Sequence, residues 1–401
     1  MKPSTVDPYF NDTNIMLKTS SISTNKKKLK VLLYGNIQGA QHRSQTLIKF
    51  LLDSRYSISL VCPNIYTKNG IKSSSLFNKI LIRIHLIELF IKAGFVDVIY
   101  VLPLNINLIE NAILISKIFR KKLVSENHVS LYDTFLEQNT IHKEDKQKAK
   151  LEKSRDRLAL TKPDYIVNTY RYETAHWAKN LGINLDKDKV FFAPIFSSST
   201  LILKREFMHD GILKICWWGT FIPLHGLDSI LQAMKLLKER EVKFTCNLFG
   251  IDNPSFSVYA EKIQLDKLDS HVFLRKDLTF FDDSLPRYLI ENCDLALGIF
   301  GNTAKANNTV PTKLVDALSL GIPTLTMNSP ALTEFFNPQT DLWTCEPSSV
   351  SIAETVMKII GGMVHSVDWL QTRQKVLSTF SVTQYQMVVS KILSKIADDT
   401  Y

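Results

Sequence analysis

The pattern that most restricts this chain is an alternation of short apolar runs with helical segments, which plays through once and then starts again. KVLLYG (30–35) is a continuous apolar run stopped by glycine. The loop NIQGAQHR then leads into a helix from about Ser44, with Leu47, Ile48, Leu51 and Leu52 at helical spacing. SISLVCP (57–63), VDVIYVLP (96–103), KLVSE (122–126), DYIVNT (164–169) and KVFFAPI (189–195) read as further strands, with amphipathic helical segments at 78–94 and 106–119. Beyond SSSTLILKREFMHDG (197–211) the opening returns. LKICWWG (213–219) again ends on glycine, and a helix over 227–240 puts Leu227, Ile230, Leu231, Met234 and Leu237 on one face. FTCNLFG (244–250), HVFLRK (271–276), DLALGIF (294–300), a helix over 312–320 and PTLTM (323–327) complete the run. Apolar strands alternating with helices belong to parallel sheets joined by right-handed crossovers.

The restart predicts an α/β chain of two Rossmann-like domains, each a mostly parallel sheet flanked by helices. The expected divisions are a disordered leader over 1–28, a first domain over 29–205, a second over 206–367 and a helical segment over 368–401. Ligands of such sheets bind outside the carboxyl ends of the strands, and two facing domains leave a cleft between them.

With 45% hydrophobic and 22% charged residues among 401, the composition is that of a globular protein. Five cysteines (Cys62, Cys216, Cys246, Cys293, Cys345) stand singly, which speaks against a disulfide framework and a zinc site. Residues 1–24 lack the apolar stretch of a secretory signal, and ILIRIHLIELFI (80–91) is broken by Arg83, His85 and Glu88, so it is not a spanning helix. A reduced cytosol is the expected home. The net charge of +10 concentrates at 25–30, 117–122 and 143–157. Solvated faces account for such runs; so does attraction to an anionic membrane beside the amphipathic 78–94 segment. Nucleic acid fits less well, because no binding motif or interleaved aromatic stripe accompanies the charge.

The most informative stretch is GIFGNTAKANNTVPTKLVDALSLGIPTLT (298–326). A glycine-bearing loop enters a short helix whose first turns hold Lys313 and Asp316, a spacing suited to a phosphate and a ribose at a helix amino terminus. A plain surface ion pair is the simpler reading of the same two residues. A second loop of this kind, GTFIPLHG (219–226), opens the second domain.

Taken in order, WWGTFIPLHGLDSILQA (217–233), LFG (248–250) and GIFGNTAKANNTVPTKLVDALSLGIPTLTMNSPALTE resemble the donor-binding half of a GT-B glycosyltransferase, closest to the retaining glycosyltransferase family 4. The similarity is ordered over about 212–360 and weaker before it, where it rests on strand order and VSENHVSLYDT (124–134). It implies two facing Rossmann-like domains with a carboxy-terminal helix crossing back. The implied activity is transfer of a sugar from a nucleotide-diphosphate sugar to a hydroxyl acceptor in glycan or cell-surface polysaccharide biosynthesis. No metal and no cofactor beyond the sugar-nucleotide co-substrate are implied, and front-face attack by the acceptor suits the chain better than a nucleophilic carboxylate.

Carried over position by position, the resemblance makes Asp316 the ribose acceptor. Asn308 stands where a glutamate is usual; Lys305, Pro311 and Lys313 match a subset of the family. Thr220 and His225 replace a customary arginine and lysine at the diphosphate, leaving neutralisation to Lys313, the helix after Gly226, and His225 if protonated. Gly219 and Gly250 close the strand ends of the donor site, and the Ser329, Ala331 and Leu332 amides would lie near the β-phosphate or sugar. On the acceptor side, His128 would touch the transferred sugar, with Glu126 at the strand end and Gly35 and Gly39 bordering the cleft. Catalytic roles are thus expected of His128, Glu126 and Lys313. Trp217 and Trp218 are expected in the core. Expected partners are the nucleotide sugar, a glycan, lipid-linked or other hydroxyl acceptor, and the inner face of an anionic membrane. A sugar-nucleotide epimerase of the same fold and a noncatalytic sugar-nucleotide-binding protein are the alternatives.

Overall fold

Each apolar run becomes a strand in one of two six-stranded parallel sheets in a computed structural model of the chain. The structure describes residues 29–37, 42–62, 76–138, 146–197, 201, 207–208, 210–251, 254–280 and 282–400. The expected leader and Gly39 lie outside the described residues.

The first domain runs β1 (Lys30–Tyr34), α1 (His42–Asp53), β2 (Ser57–Val61), α2 (Leu76–Ala93), β3 (Val98–Val101), α3 (Ile109–Ile118), β4 (Lys122–Asn127), α4 (Leu131–Gln138), α5 (Lys146–Thr161), β5 (Tyr165–Asn168), α6 (Arg171–Leu181) and β6 (Val190–Phe192). The second runs β7 (Leu213–Trp218), α7 (Leu227–Glu239), β8 (Phe244–Phe249), α8 (Pro254–Leu265), β9 (Val272–Arg275), α9 (Ser284–Asn292), β10 (Leu295–Leu297), α10 (Ala304–Asn308), α11 (Thr312–Ser319), β11 (Thr324–Met327), β12 (Trp343–Cys345) and α12 (Ser349–Ile360). Strand orders are β2-β1-β3-β4-β5-β6 and β12-β11-β10-β7-β8-β9. The order reverses between β1 and β3 in one sheet and between β7 and β10 in the other, which puts the crevices of both beside their first glycine loops.

Alternation along the strands explains why both faces are covered. Val31 and Leu33 point toward α1, whereas Leu32 and Tyr34 point toward α2 and α3. Trp217 packs in the cluster with α7 and α12, and Trp218 in the opposite cluster with α9. Each fully buried aliphatic side chain contributes roughly 1.5–3 kcal/mol, so the two sheets carry most of the stability.

The segment 368–401, expected to cross back as one helix, is two. α13 (Trp369–Thr379) packs against α11; the buried Phe380 then interrupts it, and the Ser381 hydroxyl accepts from Gln384 N at 3.1 Å to begin α14 (Val382–Thr400). Only α14 returns to the first domain, where Tyr385, Val389, Ile392 and Leu393 join the α1 face. The domains also meet through an apolar cluster in which Tyr170 and Ile195 pack with Val310, Leu314, Leu332 and Phe380.

Candidate active site

The donor-side loops begin where β7 ends. Gly219 has φ +145°, and a Cβ there would sit 3.0 Å from Lys313 Nζ and 3.2 Å from the His225 ring, so this turn passes directly over the lysine. Gly226 is left-handed, at φ +64°, and a Cβ on it would lie 2.3 Å from the Phe300 carbonyl. The two glycine loops therefore pack backbone to backbone, and Phe300 N donates to His225 O at 3.1 Å.

Lys313, the second residue of α11, is the centre of this arrangement. It is 5% exposed, its ammonium has no hydrogen-bond partner among the described residues, and it lies 3.9 Å from the centroid of the Trp217 ring. Burial holds its pKa well below the ordinary lysine value, and Asp316 opposes that only in part. Asp316, one turn on, is half-buried; burial raises its carboxyl to about 7, with Trp218 and Lys313 tempering the rise. Trp217 is thus a packing residue as expected, and it also forms the apolar wall under the Lys313 ammonium at the loop.

Several expected donor contacts have other partners. His225 is buried and pushed down to about 3 by burial and by Lys313, and its Nδ1 pairs with the Thr220 carbonyl. It is neutral at physiological pH, which corrects the expectation that it could share the phosphate charge. The Thr220 side chain is exposed. Gly250 packs against Phe221, which in turn stacks on Trp217. Lys305 reaches into the first domain instead of the loop: it donates to Thr134 Oγ1 at 2.8 Å and lies 3.8 Å from Glu137, which also accepts from Thr303. Asn308 back-bonds to Ala304 O at 2.7 Å, and Pro311 is the buried residue before α11. In the turn after β11, Leu332 N donates to Ser329 O at 3.2 Å, so its amide is already satisfied. Ala331 and Leu332 belong to the interdomain apolar cluster, and Ser329 is buried. The turn is spent on joining the domains.

The first domain supplies the other wall. His128, just past β4, is half-buried, with Nδ1 lacking a hydrogen-bond partner; burial and the Arg43 charge push its pKa down to about 3. It lines a cavity of about 170 Å³ with His42, Arg43, Leu104, Ile195, Phe196 and Thr312. That cavity is shared by the two domains, because Thr312 is the first residue of α11 and the neighbour of Lys313. Glu126, expected to be catalytic, is 1% exposed and fully engaged. It pairs with Arg43 Nε and accepts from Tyr100 (2.5 Å) and from Tyr385 of α14 (3.0 Å). Its place is beneath the cavity, holding Arg43. Gly35 sits against Asn105, whose Oδ1 accepts from Asn36 N at 2.8 Å.

Two features were not legible in the sequence. Arg43 is a buried keystone that also donates to the Pro194 and Ala193 carbonyls. Glu334, in the turn after β11, accepts from Arg171 N and Tyr172 N at 3.0 Å each and caps α6 of the other domain. No local pattern could have revealed a cap whose partners lie so far back in the chain. Among the described residues no three His, Cys, Asp or Glu side chains are grouped to hold a metal ion.

No family model and no curated protein sequence matches this chain. Solved structures match over nearly its whole length. Sucrose-phosphate synthase from Thermosynechococcus elongatus superposes with a TM-score of 0.71 at 10% identity, covering 93% of this chain and 100% of that one. Anabaena HepE in complex with UDP-glucose gives 0.66 at 12% identity (91% and 100% covered). The lipopolysaccharide outer core galactosyltransferase WaaB in its apo form gives 0.64 at 14% identity (92% and 100% covered). At such identities the likeness is one of fold, and the fold is GT-B, that of glycosyltransferases.

Proposed function

We propose that the protein is a retaining, metal-independent glycosyltransferase that moves a sugar from a nucleotide-diphosphate sugar to a hydroxyl acceptor in glycan or cell-surface polysaccharide biosynthesis. The observation that carries this reading is Lys313. An ammonium buried without a hydrogen-bond acceptor is costly unless an anion completes it. This one lies under a glycine turn, at a helix amino terminus, beside a cavity walled by both domains. The neighbour HepE, solved in complex with UDP-glucose, supports a sugar nucleotide as that anion.

In the reaction, the bond between the anomeric carbon and the diphosphate breaks and negative charge grows on the leaving phosphate. Lys313 and the α11 terminus stabilise that charge. The acceptor oxygen attacks from the same face, and its proton passes to the leaving phosphate. Asp316 holds the ribose hydroxyls. His128, neutral at physiological pH, exchanges a hydrogen bond with a sugar hydroxyl. The acceptor is a glycan or lipid-linked hydroxyl, and the enzyme works in the cytoplasm, held peripherally at the inner face of an anionic membrane. Among the described residues no helix is long and apolar enough to cross a membrane. The neutral state of His225 and the exposed Thr220 favour a second reading, a sugar-nucleotide-binding protein without turnover.

A panel of nucleotide sugars read by thermal stabilisation, followed by NMR of the anomeric configuration after acceptor is added, tests the proposal. One donor at a hundredfold its Kd should add about 2.7 kcal/mol of stability. A panel in which none raises Tm rejects both readings; binding without transfer or hydrolysis leaves the second.

A further inference from the structure

The side of the first domain formed by α2 and α3 is the least covered apolar surface of the described molecule. Where the described side chains of α2 begin, Ile84, Ile87 (60% exposed), Phe90 and Ile91 face outward, followed by Phe95 at 75% exposed. On α3, Leu114 (59% exposed) and Ile118 continue the face. The two helices are one surface, because the Phe90 and Phe119 rings meet edge to face at 4.8 Å and Gly94 lies against the same Phe119. Isolated exposed hydrophobics are ordinary; a contiguous set on two packed helices marks a contact site.

What the surface fits is set by its border. At the end of α3 and just beyond it, Lys117, Arg120, Lys121 and Lys122, with Lys162 from the α5–β5 turn, line an open groove of about 370 Å³. Among these, Lys122 is paired, with Asp399 at 3.1 Å, and Asp164 is the one acid in the lining. Arg83 and Lys92 add charge on α2, with Glu88 opposing through its contacts to Lys92 and His85. Aromatic and aliphatic side chains beside lysines that are unpaired among the described residues match a lipid surface with anionic headgroups: the apolar groups enter the headgroup boundary while the cations stay at the phosphates. A protein partner would need acidic and apolar groups in matched positions; a lipid surface needs only the average of both. The groove lies where β4 begins, at the amino-terminal edge of the sheet, opposite the edge that carries His128 and the cleft.

We infer that the α2–α3 face is the membrane-docking surface of this protein, seating exposed apolar side chains of both helices into an anionic lipid boundary with the Lys117–Lys122 groove on the headgroups. This deepens the localisation in the proposed function and does not depend on the transfer reaction, so donor binding and lipid binding succeed or fail separately.

The test uses the full chain and sedimentation with vesicles of phosphatidylcholine alone or with added phosphatidylglycerol, at low and raised salt. Binding is expected to the mixed vesicles and to weaken with salt. Lys117→Ala with Lys121→Ala should reduce it roughly 30-fold, about fivefold per lysine. Ile87→Glu with Phe95→Glu should reduce it at least about tenfold without lowering Tm, since both side chains are outside the core. Equal binding to both vesicle types, or no effect of either variant pair, overturns the inference. So does a fall in Tm on the glutamate variant, which means the face is covered within the chain, or a lipid-free dimer that this variant dissolves.

Discussion

Arg43 in the first domain and Lys313 in the second occupy matching places: each is the second residue of a helix that follows a loop at the cleft, and each is more than nine-tenths buried. Their neighbours His42 and Thr312 line the same cavity. The surroundings of the two cations differ completely. Arg43 has Glu126, two backbone carbonyls and the Tyr385 ring 4.4 Å from its guanidinium carbon. Burial is the largest single influence and works against its charge, but Glu126, Tyr385 and Tyr100 together outweigh it and its pKa is raised. Lys313 has a tryptophan face and no acceptor, and its pKa is driven down. A buried charge with its counter-ion and acceptors in place belongs to the architecture, whereas one left without them is retained against its own cost. The difference separates a structural cation from one that waits for substrate.

The largest expected effect tests the structural half. Glu126→Ala should leave Arg43, Tyr100 and Tyr385 facing a hole around an unpaired guanidinium, and cost about 3–5 kcal/mol in denaturant-midpoint measurements. Because Tyr385 ties α14 to the first domain, protection of α14 amides from exchange should fall with it. A loss below about 1 kcal/mol would remove the distinction drawn between the two cations.

Next comes the functional half. Lys313→Met should keep stability within about 1 kcal/mol of the parent, since a lost cation–π contact is offset by relief from burying an ammonium. Donor turnover should nevertheless drop about 10²- to 10³-fold in kcat, because the lost charge acts on the leaving phosphate. If instead Tm falls as far as in the Glu126 variant and turnover survives, Lys313 is a structural residue like Arg43.

The smallest effect sharpens the site. Asp316→Asn should weaken donor binding about 10- to 150-fold, the value of a charge-assisted bond of about 1.5–3 kcal/mol, with kcat little changed. As the wild-type carboxyl ionises at about 7, donor affinity should rise as pH increases through that value, and the variant should lose this dependence. Stability runs the other way. The folded pKa lies above the unfolded one of about 3.9, so the folded state keeps a proton the unfolded state has lost, and stability falls as pH rises from about 4 to about 7. Asp316→Asn should flatten that slope in a melting series.

Much of the fold was legible because local rules write it. The runs at 30–35 and 213–219 were strands, Trp217 and Trp218 were core, and the helix carrying Lys313 began at 312. The strand β12 and the break at Phe380 were not visible, since Asp341 and Glu346 leave no continuous apolar run around Trp343–Cys345, and Phe380 places its ring in the interdomain cluster. At the site, the loop and the spacing point to Lys313 and Asp316, while Glu126 is expected at the cleft and nothing local marks Glu334. Both glutamates are acceptors in networks whose donors come from elsewhere in the chain.

The sequence by itself determined the period of the strands, the glycine turns and the two-domain plan, because these follow from near-neighbour sterics and from side chains a turn apart. Tertiary structure alone decided which charges are matched. Arg43 meets Glu126, Lys305 meets Thr134, and Glu334 meets the start of α6 only when two sheets and a returning helix bring them together. Hydrogen-bond partnership depends on distances of about 3 Å in space, which separation along a chain does not encode.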